Sequence, residues 1–163
     1  MSQYRKICNT LQKLLTFIVA IFASVMIIIT TIEVARRYVL SESFQWAEEL
    51  SRYLMVSIAF LGGAIAYRNK GLIPLDLITN MLSKKVQLYL EFILEIVSVV
   101  ILVLLFYLSI QTVTSPVVYR QTSIGLPISM AIPFASMPVG FGCMLIFAVE
   151  HFIEFFSKFK EVK

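Results

Sequence analysis

The sequence predicts an all-α integral membrane protein of four transmembrane helices, with both termini cytoplasmic and short interfacial helices in the connections. Three observations carry this. Of the 163 residues, 59% are apolar and 15% charged, against about 45–50% and 25% in an ordinary soluble domain. The apolar residues gather in four stretches, about Leu14 to Ile32, Leu50 to Tyr67, Leu88 to Ile110 and Pro133 to Phe156. Each is near or above the roughly 20 residues with which a helix crosses a hydrocarbon core about 30 Å thick. The basic residues divide unevenly between alternate connections: Arg36, Arg37, Arg52 and Arg120 fall on one side and the other ten, among them Arg5, Lys6, Arg68 and Lys84, fall with the termini. The positive-inside rule therefore sets both ends in the cytoplasm.

Four spans make residues 1–163 a single membrane domain, because the connections are too short to fold as a separate soluble unit. The net charge of +4 reads as topology and contact with membrane lipids, not as a nucleic-acid surface. Arg5, Lys6 and Lys13 precede the first apolar run, yet that run exceeds the roughly 7–15 residues of a signal core, and the sequence after it offers no small-x-small cleavage site. It is expected to be a retained helix. Cys8 and Cys143 are expected as free thiols, one near the cytoplasmic surface and one inside the fourth span.

Along the chain, the first helix should continue outward past Ile32, since Glu33 and Arg37 stand four apart on one face. Residues Leu40 to Ser43 break the pattern, and Ser43 is the expected N-cap of the second helix, whose opening turns carry Glu48 and Glu49 at the positive end of its dipole. Arg52 lies within helical reach of both carboxylates, and Trp46 suits a membrane-interface anchor. Deeper in this span Ala59, Gly62, Gly63 and Ala66 form a narrow face of small residues, suited to close helix approach within the chain or against a partner.

The connection from Arg68 to Asp76 contains the breakers Gly71 and Pro74, and the apolar residues of 72–78 suggest a short interfacial helix. The third span opens with Glu91 and Glu95 on one face. An acid inside a membrane invites an ion-carrying role, but the other spans show no polar path to complete one, so both are read as structural ion-pair partners, near the headgroups, of Lys84, Arg68, Lys70 or a basic residue of a partner. Pro133 suits a helix start, whereas Pro138, followed by Gly140 and Gly142, predicts a kink. Glu150, His151 and Glu154 look like a metal set, but Glu154 stands four before Lys158, so a solvated helix end is expected. With no phosphate-binding loop, catalytic triad or cysteine cluster, the sequence offers no enzyme chemistry, no catalytic, substrate or metal residues, and no cofactor of its own.

The run Arg37-Tyr38, Ser43-Phe44, Trp46-Ala47-Glu48-Glu49, Arg52-Tyr53-Leu54, then Phe60-Leu61-Gly62 and Ala66 resembles the small membrane subunit, DctQ-type, of tripartite ATP-independent periplasmic (TRAP) transporters. The resemblance extends through Arg68 and Asp76 to Gly125-Leu126-Pro127 and Ile132-Pro133. One departure stands out: relatives often carry a His-Ile-x-Val-Asp-like stretch where this chain has Leu72-Ile73-Pro74-Leu75-Asp76, keeping the acid without the histidine. The resemblance implies a small permease subunit in the bacterial inner membrane. It implies pairing with a large DctM-type membrane subunit that holds the substrate and sodium sites, and a periplasmic substrate-binding protein that delivers a carboxylate such as a dicarboxylate or sialic acid. The sodium gradient would be used by the complex. Trp46, Glu48, Glu49, Arg52, the small-residue face and Asp76 then become expected partner-interface or positioning residues. A self-sufficient four-helix carrier using Glu91 or Glu95, and a membrane anchor for another complex, are the competing readings.

Overall fold

The computed structural model describes residues 2–40, 44–69, 84–123 and 125–161. Four long helices dominate: α1 (Ser2–Leu40), α2 (Gln45–Arg68), α3 (Lys84–Thr114) and α6 (Ser136–Glu161), with two short helices, α4 (Pro116–Arg120) and α5 (Ala131–Phe134), between the last two. α1, α2 and α3 each contain a stretch apolar and long enough to cross a membrane, and a fourth, Ala131–Phe155, runs from α5 into α6. Their hydroxyl side chains are satisfied locally: Thr16, Ser24 and Thr31 each donate to the carbonyl four residues earlier at 2.7–2.8 Å. None of these three hydroxyls is left to a medium that cannot hydrogen-bond it.

The helices pack as a chain of neighbours, α1 on α2, α2 on α6 and α6 on α3. The start of α1 and the end of α6 share one end of this bundle, where Arg5 lies 4.0 Å from Glu154, called here the terminal end; the opposite end carries the 121–130 loop, whose Gly125 meets Glu49 at the start of α2. The buried core runs through Cys8, Leu15, Leu61, Ala64, Tyr67, Leu102, Cys143, Met144 and Phe147. Large apolar side chains such as Phe17, Ile27 and Ile32 on α1, and Val100, Val103 and Leu104 on α3, point outward instead. That inversion suits a bundle whose surroundings are as apolar as its interior.

Two glycines set the closest approach of α2 and α6. A β-carbon on Gly140 would lie 2.9 Å from the backbone oxygen and Cβ of Phe60, and one on Gly63 would lie 3.1 Å from Met144 Cε. Gly62 has nothing within 4 Å and Ala59 is exposed, so the small-residue face is divided. Gly63 serves packing inside the chain, while Ala59 and Gly62 look outward.

The kink expected from Pro138 takes the form of a break one turn earlier. Regular helix is interrupted at Ala135, between α5 and α6. A proline clashes with the carbonyl four residues before it, which for Pro138 is that of Phe134. The break leaves Pro138 in the first turn of α6, where its missing N–H breaks no bond. The start of α2 also differs from expectation: its N-cap is Phe44, with no side-chain cap of its own. The Phe44 N–H donates at 3.1 Å to the Glu33 carboxylate of α1, so a neighbouring helix supplies the acceptor. Ser43, the interfacial segment 72–78 and Asp76 lie outside the described residues.

Candidate functional site

Two polar clusters stand at the two ends of the bundle. At the terminal end Arg68, the last residue of α2, faces Glu150 of α6 in a two-pronged ion pair, Nε to Oε2 at 2.7 Å and Nη2 to Oε1 at 2.9 Å. Its remaining donors reach α1: Nη2 to Asn9 Oδ1 at 2.6 Å, and Nη1 to Gln12 Oε1. The planar fork of arginine fits this geometry, whereas a lysine would bring a single point of charge. Only 9% of the Arg68 side chain and 7% of that of Glu150 remain exposed.

His151, next along α6, continues the network. Its Nε2 lies 3.0 Å from the Arg68 carbonyl oxygen and its Nδ1 lies 3.3 Å from Glu95 Oε1 on α3. The Tyr67 phenol donates to that same carboxylate oxygen at 3.0 Å and its ring stacks on the imidazole with centroids 5.2 Å apart. Side chains from all four long helices thus meet here. A cavity of about 220 Å³ opens beside them, lined by Arg5, Asn9, Arg68, Glu150, His151 and Glu154 among others.

The sequence-level expectations for these residues need correcting. Arg68 is taken by Glu150, not by Glu91 or Glu95. Glu95 is paired, but with His151 and Tyr67; Glu91 forms no ion pair among the described residues, and Lys70 and the Lys84 side chain lie outside them. Glu150 and His151, expected on a solvated helix end, are 6% and 7% exposed. Glu154 does reach the surface, where it meets Arg5 at 4.0 Å. Asn9, Gln12 and Tyr67 were not singled out. The signal that marks this cluster is a polar pair, Glu150-His151, set inside the otherwise apolar run from Leu145 to Ile153.

At the loop end the second cluster gathers most of the charged segment around Trp46. Glu49 points into the chain: its Oε2 accepts the Gly125 N–H at 2.8 Å and the Ser123 hydroxyl. The loop it grips is closed by a bridge between Thr122 and Ser129. A β-carbon on Gly125 would come within 2.8 Å of the Trp46 backbone nitrogen, so only glycine allows the loop to lie this close to α2. The Arg36 guanidinium sits 3.7 Å from the centre of the Phe44 ring, a cation–π contact. Glu48 pairs with Arg52 at 3.1 Å, both in the open. Of the residues expected to face a partner, Glu48, Arg52 and Trp46 are therefore on the surface and Glu49 is an internal clamp.

Neither cluster has the geometry of a reaction centre. Among the described residues no group of three or more histidine, cysteine, aspartate or glutamate side chains is placed to hold a metal ion. The arrangement does something else well: it fixes helices against one another with matched charges.

The sequence profile for "Tripartite ATP-independent periplasmic transporters, DctQ component" matches residues 26–158. Among relatives, the chain is 27% identical over 143 residues to the sialic acid TRAP transporter small permease protein SiaQ of Vibrio cholerae, covering 88% of this chain and 79% of that one. It is also 27% identical over 101 residues to the isethionate TRAP transporter permease protein DctMQ of Oleidesulfovibrio alaskensis, covering 62% of this chain and only 16% of that longer protein. The matched family consists of transporter components, so the protein is not an enzyme. With its four membrane-crossing helices and a profile match over most of its length, the chain belongs to the DctQ component family of tripartite ATP-independent periplasmic transporters.

Proposed function

We propose that this chain is the stationary small subunit of a sodium-driven importer. It would pair in the bacterial inner membrane, termini in the cytoplasm, with a large DctM-type subunit that holds the substrate and sodium sites. A periplasmic binding protein delivers the substrate, an organic acid. The observation that carries this reading is the way both polar clusters satisfy their charges inside the chain. Arg68 is matched by Glu150 and Glu49 by the loop, which suits a part that holds still and not one that binds and releases an ion. Support for the pairing comes from the relative named DctMQ, in which the similar region is a small part of a longer permease. Support for an anionic cargo comes from relatives named for sialic acid and isethionate.

The test is reconstitution. Liposomes holding this chain together with the large permease, supplied with the binding protein and a sodium gradient, are expected to take up the organic acid, and liposomes lacking either membrane chain are not. Uptake by this chain alone would sink the scaffold reading in favour of a self-sufficient carrier.

A further inference from the structure

Arg68 decides what the polar residues around it can still offer. A guanidinium carries donors only, so Asn9 and Gln12 must both turn their amide oxygens toward it. Gln12 then spends its amide nitrogen on Asn69 Oδ1, at 3.2 Å. The relay ends in two NH₂ groups, those of Asn9 and Asn69, that have no acceptor among the described residues. Both residues line the cavity of about 220 Å³, and a second of about 340 Å³ adjoins it, sharing the walls Arg5, Asn9, Glu150 and Glu154. Lys6 lines the second cavity. Neither Lys6 nor Arg5 makes a hydrogen bond among the described residues; Arg5 approaches Glu154 only to 4.0 Å, beyond hydrogen-bond reach.

The cleft formed by the two cavities gathers two cations and two amide donors with capacity to spare. Of its two carboxylates, Glu150 is committed to Arg68, while Glu154 keeps its acceptors open. That set matches a phosphate with an ammonium a few atoms away. The place of the cleft in the fold identifies the carrier of such a group. It lies at the ends of two membrane-crossing stretches, Gln3–Leu40 and Ala131–Phe155, where basic side chains meet lipid headgroups. Ile153 forms part of its wall and Ile7, next to Lys6, is 60% exposed, so apolar surface lies beside the charged groups for acyl chains to cover. We propose that this cleft binds the headgroup of a zwitterionic phospholipid with a primary ammonium. Arg5, Lys6 and the amides of Asn9 and Asn69 hold the phosphate, and Glu154 holds the ammonium. The bound lipid adds a brace between α1 and α6, beside the Tyr4 phenol that donates to the Ile146 carbonyl at 2.7 Å.

Native mass spectrometry tests this on the full chain, stripped of lipid in detergent and offered phosphatidylethanolamine, phosphatidylglycerol or phosphatidylcholine with the same acyl chains. Phosphatidylethanolamine is expected to bind roughly tenfold more tightly than the other two, about the worth of one charge-assisted hydrogen bond. Millimolar inorganic phosphate should not displace it. Arg5→Ala combined with Lys6→Ala, both at exposed positions, should abolish the binding, whereas Arg37→Ala, at the far end of α1, should leave it unchanged. Glu154→Gln should keep phospholipid binding and lose the preference for the ethanolamine headgroup. Equal binding of the three lipids, displacement by inorganic phosphate, or lipid retained by the double variant would each overturn the proposal. So would a loss in Arg37→Ala as large as that in the double variant, the mark of a nonspecific response to charge. The comparison of the three lipids uses the unmodified chain, so it decides even where a variant fails to fold.

Discussion

At the terminal end Arg68 and Glu150 expose 9% and 7% of their side chains, while at the loop end Arg52 and Glu48 expose 67% and 69%. Both are arginine–glutamate pairs of similar length, 2.7 Å and 3.1 Å, yet they differ in kind. The first joins two helices and, through Asn9 and Gln12, a third; the second links two residues one turn apart on one helix. A buried pair between distant segments fixes tertiary structure, and losing one partner strands the other charge. An exposed pair on one helix fixes almost nothing, which leaves Glu48 and Arg52 available to meet another protein. The contrast teaches that the same two residue types act as internal fastening or as surface according to what surrounds them. Between these extremes stands Glu49, a charge at the loop end that the chain turns inward.

Breaking the buried pair should have the largest effect. Arg68→Ala leaves Glu150 without its guanidinium and is expected to cost about 3–5 kcal/mol, read as a large drop in thermal unfolding temperature or as loss of folded protein in detergent. Arg68→Lys should fall short of full recovery because it cannot reproduce the two-pronged contact. A stability unchanged by Arg68→Ala would erase the distinction between the ends. Next, Gly140→Ala forces α2 and α6 apart where Phe60 allows no room, with an expected cost of about 1–3 kcal/mol; the accompanying Gly62→Ala, on open space, should be tolerated. Glu49→Ala removes the acceptor for Gly125 and Ser123, a loss of roughly 1–3 kcal/mol confined to the loop end, visible as faster amide exchange over residues 121–130. The smallest effect belongs to Glu48→Gln, worth less than about 0.5 kcal/mol. If copurification with the large permease nevertheless falls, the exposed pair is an interface; if both stability and assembly are unchanged, it is a solvated pair.

How much of this was legible beforehand varied by element. The four spans follow from apolar run length, and the first three each appear within one helix while the fourth is divided at Ala135; α1 extends from Ser2 to Leu40, well beyond its apolar core. The break near Pro138 was legible because a proline's clash is local. The start of α2 was not, because the acceptor for Phe44 comes from Glu33, eleven residues away on another helix. The terminal-end cluster was the largest omission. Glu154 and Lys158 gave a helix-surface spacing that suggested solvent and outweighed the local signal, the polar pair Glu150-His151 set among apolar residues; which helices that pair faces is not written locally. The loop-end segment was singled out correctly as dense in charge, but Glu48 and Glu49 are adjacent and look alike in sequence.

The sequence by itself determined what the apolar effect and backbone chemistry decide over a few turns: four membrane-crossing spans, the break near Pro138, and the family to which they belong. Only the tertiary structure decided which charge meets which. Arg68 and Glu150 are 82 positions apart, and Glu49 and Gly125 are 76 apart. Such pairs depend on the rotational phase of each helix and on which helices become neighbours. These are properties of the packed bundle that no local window of sequence contains.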